Sequence, residues 1–210
     1  GKTENWDGSS WTEVADMATA RNQMAQGVGA SNSSGLAVGG NTAPTQVATV
    51  EEWNWDSTLA AGAWASGGNM NTARAETGAS GQDASTEAIV FAGVIPPHSA
   101  LAETYDGSSW TEVGDLNTAR REIGSSGIVT AAAAFGGVGP SPELAIHETF
   151  DGSSWTEAAD LNTGRQGMAG FGATNASSIA VGGSNPGQLA ITESWNGTSW
   201  TEVADLNVAR

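Results

Sequence analysis

Carboxylates and tryptophans are the side chains of this 210-residue chain whose chemistry is most suggestive. A pair of carboxylates can hydrolyse a glycosidic bond, and an indole ring can stack on the apolar face of a sugar. Both residue types recur at fixed intervals along the chain, however. Repetition in every unit favours a role in the scaffold, so we predict that the protein is not an enzyme.

Other catalytic or metal-binding patterns find little support. The two histidines, His98 and His147, stand at non-equivalent positions without metal-ligand spacing, and there is no cysteine. The chain also has no Gly-X-Ser-X-Gly nucleophile signature and no Asp-X-Asp-X-Asp calcium loop. We therefore expect no catalytic residue, no bound metal and no cofactor.

The charge of the chain bears on its partners. The net charge is −16, from 23 acidic residues against 7 Lys and Arg. Contacts to phosphate need a basic surface, so we predict neither a nucleic-acid partner nor an anionic membrane partner. No apolar run approaches the roughly 20 residues of a membrane helix, and residues 1–10 lack the apolar core of a signal peptide. We expect a soluble protein, whose compartment this composition leaves undetermined.

One phrase recurs five times and organises the sequence. Its clearest copy, at 103–120, reads Glu-Thr-Tyr-Asp-Gly-Ser-Ser-Trp-Thr-Glu and ends in Leu-Asn-Thr-Ala-Arg. The repeat tryptophans are spaced 53, 46, 45 and 45 residues apart, and each precedes an arginine by ten. The tryptophans are Trp11, Trp64, Trp110, Trp155 and Trp200, and the arginines are Arg21, Arg74, Arg120, Arg165 and Arg210.

A second segment alternates with this phrase. It is small and apolar, and it ends in Gly-Gly, or in Ala-Gly at 92–93. Asp-Gly or Asn-Gly after an aromatic residue is a strong hairpin signal, so the first phrase predicts an antiparallel pair, which we call the Trp hairpin. The second segment predicts another pair, the Gly-Gly hairpin. Together they make a four-stranded sheet of about 45 residues.

These sheets predict the fold class. A sheet of this size cannot bury both faces alone, but radial stacking lets each blade cover its neighbour. We predict an all-β single domain over 1–210, a β-propeller of about five blades of four antiparallel strands. The blade units are approximately 1–21 (partial), 22–74, 75–120, 121–165 and 166–210. The alternative is four complete blades plus an extra N-terminal hairpin.

The order Gly-Gly, Tyr-Asp or Trp-Asp, Trp and Arg resembles the kelch repeat over essentially the whole chain. This resemblance implies that the Gly-Gly hairpin is the inner pair of a blade and the Trp hairpin the outer pair. The amino-acid sequence of the repeat is also similar to repeat arrays in tail or fibre-like structural proteins of marine bacteriophages. That similarity implies a virion or extracellular location.

The N-terminal Trp hairpin, at 4–16, has no inner partner in the sequence. Either the fifth blade is half-built, or four blades close and this hairpin is an extra edge, or another chain or a larger array supplies the strands. Unpaired edges invite pairing. Self-association and strand completion by another chain are therefore open hypotheses about partners.

Candidate ligand-binding residues are those that vary between copies, because repeated residues serve the scaffold. They are Trp53, Trp55 and Asp56 in an enlarged turn, and His98 in the loop 95–101. We assign the repeat tryptophans to packing between blades, and we expect the repeat arginines to pair with carboxylates there. The resulting hypothesis is a non-enzymatic binding module for a glycan or cell-surface ligand in a phage-like structural protein. The alternative is a purely structural or protein-interaction scaffold.

Overall fold

The computed structural model describes residues 1–25, 32–56, 61–81, 86–141 and 143–210. Within these ranges the chain forms seventeen strands, each paired antiparallel with the strand before it, the strand after it, or both. The prediction of an all-β protein is confirmed. In the described part of the chain, no helix is long and apolar enough to cross a membrane.

The strands form five sheets in chain order, which we name the N-terminal hairpin and sheets 1 to 4. The N-terminal hairpin has two strands, β1 (Thr3–Trp6) and β2 (Trp11–Val14). Sheet 1 has three: β3 (Ser34–Val38), β4 (Val50–Asp56) and β5 (Ala61–Ser66). Sheet 2 has four: β6 (Gly78–Ser80), β7 (Ala88–Phe91), β8 (Ala102–Tyr105) and β9 (Trp110–Glu112). Sheet 3 has β10 (Gly124–Ile128), β11 (Ala131–Phe135), β12 (His147–Phe150) and β13 (Trp155–Ala158). Sheet 4 has β14 (Ala169–Thr174), β15 (Ser177–Val181), β16 (Thr192–Trp195) and β17 (Trp200–Glu202).

In four Trp hairpins the turn is held by its acidic or amide residue: Asp7, Asp106, Asp151 or Asn196. Asp106 Oδ1 accepts hydrogen bonds from the backbone N–H groups of Ser108, at 2.9 Å, and Ser109, at 2.8 Å. Gly107 takes a positive φ of 91°, which glycine adopts without strain. The same N–H groups and the Ser108 hydroxyl lower the pKa of Asp106 to about 2. The Asp-Gly-Ser-Ser sequence therefore specifies this turn through local interactions alone.

The first strands of neighbouring sheets lie side by side. In β6, the Ser80 hydroxyl donates to the carbonyl of Ser126 in β10, at 2.8 Å. In β14, a Cβ on Gly170 would lie only 2.4 Å from the carbonyl oxygen of Ser125, so the backbones are in close contact. In sheets 2, 3 and 4 the first strand belongs to the Gly-Gly hairpin, so the Gly-Gly hairpins of these three sheets converge.

A series of backbone hydrogen bonds connects the segments that lead into these strands. Glu76 N donates to Gln23 O, at 3.0 Å, and Glu122 N donates to Glu76 O, at 3.1 Å. Gly167 N then donates to Glu122 O, at 2.9 Å. Among the described residues, no strand pairing joins sheet 4 to the N-terminal hairpin or sheet 1.

Aromatic side chains fill the spaces between sheets. Trp155 of sheet 3 packs edge-on against Phe91 of sheet 2, with ring centroids 4.7 Å apart. Trp200 of sheet 4 packs in the same way against Phe135 of sheet 3, at 5.1 Å. The tryptophan of one sheet thus buries the second strand of the preceding sheet, and this apolar contact is repeated at successive boundaries.

Candidate functional site

The repeat arginines lie at the boundaries between sheets. Arg120 is fully buried, and its Nη1 lies 2.5 Å from Oε1 of Glu148 in the next sheet. Its carbonyl accepts a hydrogen bond of 2.8 Å from Gly93 N in the preceding sheet. Arg165 repeats the arrangement with Glu193. One residue therefore connects two sheets, through its backbone on one side and its guanidinium on the other.

The glutamate at each boundary is saturated by neighbouring donors. Glu148 Oε2 accepts from the backbone N–H of Asn117 at 2.7 Å and from its side-chain amide at 2.8 Å. Four arginines pair with a glutamate of the next sheet in this way: Arg21 with Glu51, Arg74 with Glu103, Arg120 with Glu148 and Arg165 with Glu193. The expected pairing of arginines with carboxylates is present, and both oxygens of each of these four glutamates have an N–H partner.

Three of the five repeat tryptophans are buried at boundaries between sheets, whereas Trp64 is half-buried and Trp11 is 65% exposed, so Trp11 does not show the predicted packing between blades in the described structure. Trp110, Trp155 and Trp200 are buried, which leaves their indole faces little room for a sugar. The Trp200 indole N–H donates to Nδ1 of His147, at 3.2 Å. His147 is itself fully buried, and burial lowers its pKa to about 4.

Of the residues predicted to bind ligand, Trp53, Trp55 and Asp56 lie in strand β4 of sheet 1, so the prediction that they belong to an enlarged turn is wrong. Trp53 is 6% exposed and donates its indole N–H to the carbonyl of Asn32, at 3.0 Å. Trp55 is half-buried, with its ring centroid 6.4 Å from that of Trp53. The Asp56 side chain and residues 57–60 lie outside the described residues. His98 is half-buried in the loop between β7 and β8 of sheet 2. The structure thus brings Trp53 and Trp55 together, whereas His98 belongs to another sheet.

A cavity of about 470 Å³ opens where the first strands converge, and we call it the axial cavity. Its walls come from equivalent segments of sheets 1 to 4, each located just after a repeat arginine. The residues two places after these arginines all have positive φ: Gln23 at 54°, Glu76 at 56°, Glu122 at 53° and Gly167 at 62°. All four line the cavity. A shared backbone conformation therefore presents four different residues to one space.

Polar side chains at this cavity form a connected network. Arg121 Nη1 lies 2.6 Å from Glu76 Oε2 and 3.7 Å from Glu122 Oε1. Gln23 Nε2 donates to Glu76 Oε1 at 2.5 Å, and Asn41 donates its side-chain N–H to Gln23 Oε1. Gln23, Glu76 and Glu122 are the members of this network that line the cavity, and their amide and carboxylate groups can donate to and accept from a hydroxyl-rich ligand.

Apolar groups complete the walls of the axial cavity. They come from Met24, Ile123 and Met168, the residues that immediately follow three of the four positions described above. A concave site with apolar walls and a few converging polar groups is the usual form of a small-molecule site. The arrangement can therefore hold an uncharged polar ligand by hydrogen bonds along one side and apolar contact along the other.

Sequence reasoning missed these residues, although a signal was present. The position two residues after each repeat arginine differs between copies, as Gln, Glu, Glu and Gly, while the preceding phrase is nearly constant. A position that varies within an otherwise constant repeat is one at which the fold does not require a particular residue. What the sequence could not show is that the four positions meet, because they are separated by 53, 46 and 45 residues.

No model of a known protein family matches the sequence, and no curated protein resembles it closely enough to count as a relative. Within the described ranges, no three His, Asp or Glu side chains are grouped as the ligands of a metal ion would be.

Proposed function

We propose that the chain is a β-propeller whose sheets are blades, and that it acts as a non-enzymatic binding module with its ligand in the axial cavity. The convergence of the Gly-Gly hairpins supports the propeller. So does the axial cavity, to which sheets 1 to 4 contribute equivalent residues. In a propeller, such a cavity is the mouth of the central channel.

The N-terminal hairpin supports a count of five blade positions. Trp64 of sheet 1 donates its indole N–H to Thr3 of the hairpin, at 2.9 Å, as Trp200 of sheet 4 does to His147 of sheet 3. Thr3 and His147 occupy the same register in their hairpins. The hairpin therefore sits relative to sheet 1 as a preceding blade would, which favours a half-built fifth blade over a closed ring of four.

A saccharide is the ligand class that the axial cavity fits best. The observation that carries this proposal is the convergence of four variable residues in one cavity. The repeated Arg and Glu side chains, in contrast, pair with each other at the boundaries between sheets. The polar network can bond to hydroxyl groups, and the methionine and isoleucine walls can cover the apolar face of a sugar ring. The repeat sequence is similar to that of phage tail or fibre-like arrays, and this similarity favours a cell-surface glycan as the ligand.

The experiment uses a glycan array followed by calorimetric titration of the saccharides that bind. Gly167→Gln adds a side chain to the cavity at the backbone conformation that Gln23 already adopts, and a Cβ there meets nothing closer than 4.0 Å. We expect this variant to weaken binding by at least about tenfold. Gly187→Gln is the control, because a Cβ at Gly187 meets no atom within 4 Å and Gly187 lies outside the cavity lining.

The outcomes separate the hypotheses. Equal loss of affinity in both variants would contradict ligand binding in the axial cavity. No binding to any saccharide of the array would contradict the glycan class and favour the second candidate, a structural or protein-interaction scaffold. That candidate is favoured by one observation, the repeated Arg–Glu pairs at the boundaries between sheets. Release of a cleaved sugar during titration would contradict the non-enzymatic role.

A further inference from the structure

A second cavity, of about 420 Å³, lies between sheets 2 and 3, and we call it the boundary cavity. Sheet 2 contributes Glu87, Tyr105 and Asp106, and sheet 3 contributes residues 128–130 at the turn between β10 and β11. None of its lining residues lines the axial cavity. Sheets 2 and 3 both have four strands, so this space is formed where two complete sheets meet.

At the next boundary, between sheets 3 and 4, one asparagine closes the equivalent place. Asn175 donates its backbone N–H to the Ala131 carbonyl, at 2.9 Å. It donates its side-chain amide to the Phe150 carbonyl, at 2.8 Å. Its own carbonyl accepts the indole N–H of Trp195, at 3.0 Å. Three hydrogen bonds around one turn residue therefore hold sheet 4 to sheet 3 and support the adjacent tryptophan.

The boundary between the N-terminal hairpin and sheet 1 is closed in the same way. Asn32 donates its side-chain amide to the Trp6 carbonyl, at 2.9 Å, and its own carbonyl accepts the Trp53 indole N–H, at 3.0 Å. Asn32 and Asn175 occupy the same register relative to the strand that follows. An asparagine in this turn, together with a tryptophan in the third strand or its counterpart, is thus the combination that closes a boundary.

Sheet 3 lacks both members of this combination. Val129 and Phe150 stand where sheet 4 has the asparagine and the tryptophan. Valine has no side-chain donor, and phenylalanine has no indole N–H. The Val129 backbone N–H also makes no hydrogen bond to the carbonyl of Glu87, the counterpart of Ala131, within the described part of the chain. This boundary therefore lacks all three hydrogen bonds, and the boundary cavity lies where they are missing.

The groups left at this place are mainly hydrogen-bond acceptors. Glu87 and Tyr105 are the counterparts of the two residues whose carbonyls accept from Asn175, but no N–H group of Val129 reaches them among the described residues. The Glu87 side chain is exposed, and no described donor pairs with its carboxylate. The residues at its register in the other sheets carry no charge: Ser34, Ala131 and Ser177. Glu87 is therefore specific to this boundary.

The remaining lining of the boundary cavity combines negative charge with apolar surface. Asp106 supplies a second carboxylate, and the described lining contains no Lys, Arg or His. Val113 and Ile128 supply apolar groups, and Thr130 is one of three threonines that supply hydroxyls. Charge-assisted hydrogen bonds from a cation to carboxylates and carbonyls are stronger than those from a neutral donor. The lining therefore favours a cation with a short aliphatic chain.

We infer that the boundary cavity binds a small alkylammonium ligand. The ammonium N–H groups take the place of the donors that Asn175 supplies at the next boundary, and the positive charge lies near Glu87 and Asp106. The aliphatic chain lies against Val113 and Ile128. Since the two cavities share no lining residue, this binding does not depend on any ligand in the axial cavity.

The test titrates the 210-residue chain with cadaverine, a linear diamine, and follows the backbone amide chemical shifts by NMR. Physiological salt is present, because it screens distant carboxylates beyond about 8 Å. We expect shifts at Glu87, Asp106 and residues 128–130. The control ligand is the pentanediol of the same chain length, which has hydroxyls in place of the ammonium groups. We expect it to bind at least about tenfold more weakly.

A matched pair of variants tests the charge. Glu87→Gln removes the carboxylate that is specific to this boundary and should weaken cadaverine binding by at least about fivefold. Glu202→Gln removes the same charge from an exposed position on β17, outside the lining, and should leave binding unchanged. Val129→Asn tests the open boundary, because it restores the side-chain amide that sheet 4 carries at this position. Its amide should compete with the ligand and weaken binding by at least about fivefold.

Four results would overturn the inference. Equal weakening by Glu87→Gln and Glu202→Gln would show that the diamine responds to the net charge of −16 and not to this cavity. Undiminished binding to Val129→Asn would show that the open boundary is not the site. Equal affinity for the diamine and the diol would contradict recognition of an ammonium group. Absence of chemical-shift changes at the lining residues would show that the cavity does not bind this ligand class.

Discussion

Trp11 and Trp155 occupy the same place in two copies of one repeat, yet Trp11 is 65% exposed and Trp155 is 6% exposed. Their hairpins are locally alike: Trp6 faces Trp11 in the register in which Phe150 faces Trp155, and the aspartates of the two turns accept the same N–H groups. The difference lies in the neighbouring sheet: sheet 2 covers Trp155, whereas the described residues place no such sheet against Trp11. Local sequence thus makes the hairpin, and neighbouring sheets supply the burial.

The largest expected effect concerns the buried Arg120–Glu148 pair, which we compare with the exposed Glu4 of the N-terminal hairpin. Glu148→Ala leaves the buried guanidinium of Arg120 without its carboxylate, so we expect the free energy of unfolding to fall by about 3–5 kcal/mol. Glu4→Ala removes the equivalent but exposed carboxylate and should change that free energy by less than about 0.5 kcal/mol. Urea unfolding of both variants measures the contrast. Equal losses would show that the N-terminal hairpin is as tightly covered as sheet 3.

The second prediction concerns His147, whose place in the N-terminal hairpin is taken by Thr3. The folded protein holds its pKa at about 4 instead of 6.5, so the neutral form is favoured on folding. Below pH 6.5 the unfolded chain binds a proton that the folded chain does not, and stability falls until about pH 4. The expected loss is roughly 3 kcal/mol over this interval.

The control for this titration is His147→Thr, which introduces the residue that sheet 4 carries at the equivalent position, Thr192. Urea unfolding at several pH values should show a shallower decline for the variant between pH 6.5 and 4. Parallel curves for the two proteins would contradict the contribution of His147.

The smallest expected effect compares the two tryptophans directly. Trp155→Phe reduces a buried contact with Phe91 and should lower the free energy of unfolding by about 1–2 kcal/mol. Trp11→Phe should alter it by less than about 0.5 kcal/mol, because the ring is mostly in water already. Thermal unfolding of the two variants gives the comparison, and a larger loss at Trp11 would mean that the hairpin face is covered in solution.

Much of the local structure was predictable from the sequence. The Asp-Gly-Ser-Ser turns predicted the Trp hairpins, and the all-β class is confirmed by the sheets. The pairing of arginine with carboxylate was expected because both recur in step, and the partner in each pair is the glutamate of the next sheet. Propeller closure and glycan binding stay proposals.

The candidate site was less predictable. Trp53 was predicted to bind ligand because it lies in the repeat copy that differs from the others. Its indole is instead buried and donates to a backbone carbonyl. Gln23, Glu76 and Glu122 are ordinary polar residues in sequence, and only their convergence makes them a candidate site. Sequence periodicity reports which positions are equivalent, but it does not report the distance between them.

What the sequence by itself determined is the repeat, its hairpins and the strand order within a sheet, because turns and neighbouring strands are set by interactions over a few residues. Only the tertiary structure decided which equivalent residues are buried, which line the axial cavity and which remain uncovered at the N-terminal hairpin. Burial and convergence depend on the neighbouring sheet. Two copies of one phrase can therefore have the same local structure and different chemistry.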